Sequence, residues 1–275
     1  RRLDIFEANN LKILQHNANP TNGVTLAHNK FSALSQDEWR STYLSLRVPE
    51  SRATTEFNLD TSVPVEANIN WVTAGAVTGV KDQGQCGSCW SFSATGGLEG
   101  AYFLKTGTLA SFSEQELVSC DKVDGGCNGG WMDDAFTYAQ NNGLASEADY
   151  PYVSGSGSQP RCTTGKARAL APGAVTGFVD VPANSEAGLQ AALAQRPVSV
   201  AIEADQTSFQ FYSGGILSSG CGQSLDHGVL AVGYLASGST NYYLVKNSWG
   251  SGWGAAGFIS IAAGKDLCGI ANAAS

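Results

Sequence analysis

Gln83-Gly84-Gln85-Cys86-Gly87-Ser88-Cys89-Trp90 sets two cysteines three positions apart, immediately before a helical pattern that runs over Ser91–Leu104. Three chemistries compete for such a pair. Zinc needs a second close Cys or His pair, yet Cys120 and Cys127 are seven apart and no histidine lies near them. A redox dithiol needs a strand feeding the helix, and it leaves an odd number of other cysteines without partners. The third chemistry makes Cys89 a nucleophile at a helix N-terminus, where free backbone N–H groups and the helix dipole favour thiolate over thiol. Of the seven cysteines in the chain, six can then pair, Cys86 is structural, and the single one is reactive.

A thiolate near neutral pH needs a cationic partner, and histidine can both accept the proton and return it. Three histidines are available. His16 and His28 lie in the leading segment and read as solvated or packing residues. His227, in Leu225-Asp226-His227-Gly228-Val229, stands at the entrance to an apolar β run and is the candidate base. Its ring needs a fixed orientation. Asn247 in Lys246-Asn247-Ser248-Trp249-Gly250 can supply it, with Trp249 shielding the hydrogen bond; taken alone, Asn247 reads as a turn residue before Gly250.

The chain has 275 residues and a net charge of −8, with 16 basic and 24 acidic side chains. Residues 1–62 hold seven of each sign, so the whole acidic excess lies beyond them and nucleic acid is an unsuitable partner. No apolar run is long enough for a membrane span, and the first twenty residues lack a signal-peptide core. Arg2, Phe6, Asn9, Ile13 and Asn17 share one face of an expected helix. A second helix is expected after Ser35, with Asp37 and Glu38 in its first turn and Trp39, Tyr43 and Leu46 on its apolar side. Residues 48–68 read as an extended linker with a boundary near Val63. Beyond it, helical patterns such as Trp131–Gln140 precede β-branched runs at Val198–Ile202, Gly228–Tyr234, Tyr242–Lys246 and Gly257–Ile261. Helices segregated from antiparallel strands predict an α+β fold of two lobes, with the site at their seam.

With these residues in place, the chain resembles the papain family of cysteine peptidases, in its cathepsin L-like branch. The Cys86-Gly87-Ser88-Cys89-Trp90 signature, with His227 and Asn247 far downstream, carries the likeness. Arg2 to Asn17 resemble the interspersed Glu-Arg-Phe-Asn-Ile-Asn pattern of the family's propeptide, from its Arg onward. Ser213-Gly214-Gly215-Ile216 and Asn247-Ser248-Trp249-Gly250 also look familial. The resemblance implies a papain-like fold: a mainly helical lobe and an antiparallel, barrel-like β lobe, preceded by a helical propeptide. It divides the chain into a partial inhibitory propeptide, 1–62, and a peptidase domain, 63–275. It implies an endopeptidase held as a zymogen, working without cofactor or metal through a thiolate–imidazolium pair and an acyl-enzyme.

By the same resemblance Gln83 and the Cys89 N–H hold the oxyanion, and Gly129 and Gly130 pair with extended substrate; read alone, these are a loop residue and a turn. Trp131, Met132, Ala201, Gly228 and Ala273 are implied around the pocket for the second side chain before the cut, and Trp249 beside the site. The implied disulfides are Cys86 with Cys127, Cys120 with Cys162, and Cys221 with Cys268. Expected partners are protein and peptide substrates, the chain's own propeptide and cystatin-like inhibitors. A monomer is expected, secreted or lysosomal/vacuolar, neither on a membrane nor on nucleic acid. The chain departs from the pattern in lacking the glutamate before Arg2 and in stopping early, and is expected to be truncated at both ends. Ala27, Asn29, Phe31 and Ala33 occupy the second propeptide motif, whose last position is usually aspartate. No N-glycosylation sequon occurs.

Overall fold

A computed structural model describes residues 1–19, 21–50 and 65–275. Most of the expected linker, and the boundary near Val63, lie outside the described residues; its last position, Asn68, begins a strand.

The leading segment opens with α1 (Arg2–Asn17), whose shared face buries Asn9 and Ile13 and leaves Arg2, Phe6 and Asn17 exposed. Ile13 is buried, and Phe6 stacks on His28 with ring centroids 4.5 Å apart. The polar members of that face bracket the chain that follows. Asn9 Nδ2 donates to the carbonyls of Ser32 (3.1 Å) and Leu34 (2.9 Å), and Asn17 exchanges hydrogen bonds with the backbone of Leu26 at 2.8 and 2.9 Å. Strand β1 (Val24–Leu26) follows, then α2 (Gln36–Tyr43). Ser35 caps α2 in a full capping box with Glu38, and Trp39 and Tyr43 are buried. Leu46 does not continue that helix as expected. Leu44 is already extended, and the next backbone N–H groups bond across space: Leu46 to the Asp226 carbonyl and Arg47 to the Gly130 carbonyl, both at 3.1 Å.

After β2 (Asn68–Asn70) come three helices, α3 (Cys89–Thr106), α4 (Glu114–Cys120) and α5 (Met132–Asn142), the helical lobe. The rest is α6 (Glu186–Leu193), β3 (Val198–Ile202), α7 (Thr207–Gln210), β4 (Tyr212–Leu217), β5 (His227–Ser237), β6 (Thr240–Lys246) and β7 (Phe258–Ala262). The sheet runs β1-β4-β7-β6-β5-β2, with β3 also paired to β5. Every pair is antiparallel except β4 with β7; the β5–β6 hairpin between them in sequence lets these strands align in parallel.

Two large apolar clusters correspond to the two lobes. The β-lobe cluster is not made by the β lobe alone, because Ile13, Val24, Leu26, Phe31, Trp39 and Tyr43 of the leading segment belong to it. Each such side chain stabilises the assembly by roughly 1.5–3 kcal/mol. Helix α3 is wedged at the seam, where Gly96 lets Leu230 of β5 come close; a β-carbon there would lie 2.8 Å from Leu230 Cδ2. Ser93 Oγ donates to the Val229 carbonyl at 2.7 Å and so fixes α3 against β5. That contact sets the nucleophile candidate at the helix start against the histidine candidate at the strand start.

Candidate active site

Cys89 is the first residue of α3 and His227 the first of β5. The Gly228 N–H points at Cys89 Sγ across 3.4 Å, so the sulfur lies at the root of the strand that carries the imidazole. Of the seven cysteines Cys89 alone is free; Cys86–Cys127, Cys120–Cys162 and Cys221–Cys268 are bonded as the resemblance implies.

The hydrogen-bond network fixes the imidazole tautomer. Asn247 Oδ1 accepts the Ser248 N–H at 2.8 Å, so the amide oxygen must face His227 Nε2, also at 2.8 Å. An oxygen there requires Nε2 to carry the proton. His227 Nδ1 is left as a buried lone pair without a partner. Trp249 stacks on the imidazole at 4.6 Å and is itself 1% exposed, which keeps water from the Asn247 bond.

Gln83 is oriented by the same reasoning. Its Oε1 accepts from Trp249 Nε1 (3.1 Å) and Ser248 Oγ (2.7 Å), and an indole N–H can only donate. The amide N–H₂ therefore faces the cleft, where it donates to the carbonyls of Cys86 (3.0 Å) and Tyr43 (3.3 Å). Tyr43 belongs to the leading segment, so a carbonyl of that segment already sits on the Gln83 amide.

The leading segment fills the rest of the cleft. Arg47 donates from its backbone to the Gly130 carbonyl and from Nε to the Asn128 carbonyl at 2.9 Å. Gly129, at φ +101°, lies so close to the Ser45 carbonyl that any β-carbon there would collide. Leu46 packs against the cluster containing Trp131, Met132, Ala201 and Ala273. Its Cδ1 lies 3.4 Å, and Met132 Sδ 3.2 Å, from where a Gly228 β-carbon would be. Ala201 pairs with Gly228 and donates to the Ala273 carbonyl at 2.8 Å. Ala273 is 1% exposed and tied to β3, so it forms a closed wall and leaves no opening to water.

Burial changes the charge state of the pair. The Cys89 thiol is pushed up to about 11 by desolvation, which outweighs the N–H groups of Gly228, Ser45 and Trp90 directed at it. His227 is pushed down to about 4 by desolvation, against the opposing pull of its Asn247 bond. Burial in this closed form thus works against the thiolate–imidazolium pair expected from the sequence and favours the neutral forms of both groups.

The residues singled out in the sequence come together, including Cys89, His227, Asn247, Gln83, Gly129, Gly130 and the pocket residues. Sequence reasoning missed Ser248, which orients both Asn247 and Gln83 although it lies inside the quoted Asn247–Gly250 stretch. It also missed Tyr152, for which the chain offers no local signal.

Residues 65–275 match the papain family cysteine protease domain, and residues 1–39 match the cathepsin propeptide inhibitor domain. The senescence-specific cysteine protease SAG39 of Oryza sativa subsp. indica is 43% identical over 98% of this chain and 81% of its own length. Among solved structures, the proform of Amb a 11, a cysteine protease and major ragweed pollen allergen, superposes with TM-score 0.91 at 35% identity, covering 99% of this chain and 87% of that one. Digestive procathepsin L 3 of Tenebrio molitor larval midgut gives TM-score 0.86 at 39% identity, covering 99% and 90%. The chain therefore belongs to the papain family, in its cathepsin L-like branch, and is a cysteine endopeptidase carrying its inhibitory propeptide.

Proposed function

We propose that Cys89 is the nucleophile, His227 its base, Asn247 the residue that orients the imidazole, and Gln83 the side-chain donor to the oxyanion. One observation carries this reading: the Asn247 bond leaves His227 Nδ1 as the free lone pair on the strand whose next N–H touches the Cys89 sulfur. In the open cleft Nδ1 takes the thiol proton, and the sulfur adds to the substrate carbonyl. Negative charge gathers on the carbonyl oxygen, where the Cys89 N–H and Gln83 Nε2 meet it. The C–N bond breaks as His227 returns its proton to the leaving amine, and water then releases the acyl group by the same route in reverse.

The propeptide's direction supports latency. From Ser45 beside the sulfur to Leu46 in the apolar pocket the numbering rises, whereas a substrate with its second side chain before the cut in that pocket runs the other way. The bound segment thus crosses the cleft in the reverse of a substrate's direction. We assign the propeptide to 1–62 and the peptidase domain to 63–275, with cleavage between about Leu59 and Val65. Disulfide bonding supports a secreted or lysosomal/vacuolar site of action. A site complete within one chain supports action as a monomer, and its cleft suits protein substrates and cystatin-like inhibitors.

The charge states give a test of this pairing. With a thiol near 11 the thiolate fraction at pH 7 is on the order of 10⁻⁴. Iodoacetamide should label Cys89 in the intact chain at a rate rising about tenfold per pH unit from 7 to 10. After propeptide removal the rate should instead hold a plateau down to about pH 5, because the exposed pair can ionise. An acid-side plateau already in the intact chain would contradict the neutral closed form. The linkage has a definite sign. A histidine lowered to about 4 binds less proton in the folded chain than in the unfolded one, so its contribution to folding stability is intact above about pH 6.5 and is lost as pH falls through 4.

Specificity follows from the pocket that Leu46 now occupies. Its walls carry no charge, so a Leu or Phe there gains roughly 1.5–3 kcal/mol, about ten- to a hundredfold in kcat/KM over alanine. An arginine head would lose water without finding a partner. A dipeptidyl substrate series differing only at that residue checks this, and arginine cleaved as well as leucine overturns it.

A further inference from the structure

We infer that Tyr152 is a positioning residue whose phenol locks together the two halves of the oxyanion site, Gln83 and the turn that presents the Cys89 N–H. The inference rests on the oxyanion role proposed above. Tyr152 Oη lies 2.8 Å from the Gln83 carbonyl and 2.8 Å from Ser88 Oγ. A carbonyl can only accept, so the phenol proton is committed to Gln83 and Ser88 must donate to Oη. The result is a one-way chain from the Ser88 hydroxyl through the Tyr152 hydroxyl to the Gln83 carbonyl. Ser88 immediately precedes Cys89 and is fully buried. One oxygen atom therefore spans the gap between the residue before the nucleophile and the residue that carries the side-chain donor.

The phenol is itself held. Its ring meets Phe92, three residues after Cys89 on α3, edge-on at 4.9 Å. Its backbone N–H donates to Glu147 Oε1 at 2.8 Å, and the next two N–H groups donate to Gln115 Oε1 at 2.8 and 2.9 Å. Three residues after Tyr152, the Gly155 carbonyl accepts from the Gln85 N–H at 2.8 Å, so this segment buttresses the Gln83 loop. Burial keeps the phenol protonated well beyond its ordinary range, so it donates at every pH where the enzyme works. Gln83 has other anchors, since its N–H donates to the Ser248 carbonyl and its Oε1 accepts from Ser248 and Trp249. Those tie it to the β lobe. Toward the nucleophile's own lobe its side chain donates to the Cys86 carbonyl and its backbone carbonyl accepts from Tyr152, and the Tyr152 tie sets the distance between the two oxyanion donors.

Tyr152→Phe keeps the ring and removes both hydrogen bonds. In enzyme activated from the full chain, kcat should fall about tenfold with KM within about twofold, because the loss appears only where charge develops. Ser88→Ala leaves the bond to Gln83 and should cost only about two- to threefold. Iodoacetamide alkylation of Cys89, which reads the sulfur and His227 but no oxyanion, should be unchanged in Tyr152→Phe. A general loosening of the site would slow it. The deciding measurement is a double-mutant cycle: once Gln83→Ala has removed the side-chain donor, adding Tyr152→Phe should change kcat less than about twofold. A Gln83→Ala enzyme that keeps its kcat overturns the oxyanion reading and this inference with it. A Gln83→Ala loss to which Tyr152→Phe adds its full tenfold overturns this inference alone.

Discussion

Cys89→Ser should lower kcat/KM by about 10³-fold or more while the thermal midpoint stays within about 2 °C of the parent. The hydroxyl is far less acidic than the thiol, so His227 Nδ1 cannot generate the nucleophile that it generates from sulfur. Geometry adds to the loss. The Gly228 N–H lies 3.4 Å from Sγ, a distance suited to sulfur, and an oxygen on its shorter bond would sit outside normal hydrogen-bond range. The substitution removes no apolar contact of any size, which is why the fold should survive it. Peptidase assay and calorimetry on the same preparation check both halves, and residual turnover within about tenfold of the parent removes Cys89 from the role proposed for it.

Phe31→Ala should release the latency of the uncut chain. Phe31 is fully buried, with its ring 5.3 Å from Trp249 and 4.7 Å from Tyr43, both edge-on, and 6.2 Å from Trp39. It is the propeptide's plug over the indole that shields the His227–Asn247 bond. Truncating such a phenylalanine costs about 3–5 kcal/mol, and the share carried by Trp249, the partner across the propeptide boundary, falls on docking, while Tyr43 and Trp39 belong to the propeptide itself. With about 1.4 kcal/mol or more of it falling on docking, the open state should gain by about tenfold or more. Initial rates on a small peptide substrate, with the chain shown uncut on a gel, should rise in Phe31→Ala. Phe6→Ala is the comparison, since Phe6 is 38% exposed and stacks on the propeptide's own His28, so its rate should stay near the parent's. A Phe31→Ala chain as silent as the parent would mean that latency is held elsewhere.

The catalytic constellation was legible because each member has a distinctive side chain in a distinctive place: the leftover cysteine at a helix start, the single histidine beyond the leading segment, an amide two residues before a tryptophan. Long periodic elements were legible for the same reason, and β3 was read to the residue. Strand β4 was not read as a strand, because Gly214 and Gly215 have no β propensity and pair only because β1 lies beside them, while β7 takes Ile216 and Leu217. The overlong reading of α2 has a comparable cause. Leu46 keeps the helical spacing from Tyr43, but the cleft offers its backbone carbonyl partners and its side chain a pocket, and tertiary contact overrides local pattern. Tyr152 was invisible because its importance lies wholly in what stands opposite its hydroxyl.

The core that joins propeptide to β lobe also bears on how the protein can be made and unmade. Asn29 reaches the Gln210 carbonyl across 181 residues of sequence, and Ser213 reaches the Thr25 carbonyl across 188. Contacts of such span form late and slowly, and here they help to assemble the lobe that houses His227 and Asn247. Cleavage and loss of the propeptide remove those contacts from any later folding attempt while leaving the finished lobe in place. The mature enzyme is thus expected to persist because unfolding is slow, with its lifetime governed by a barrier in which closed disulfides share. Denatured after maturation, it should recover poorly where the full chain recovers well, since the segment that helped to order the β lobe is no longer attached.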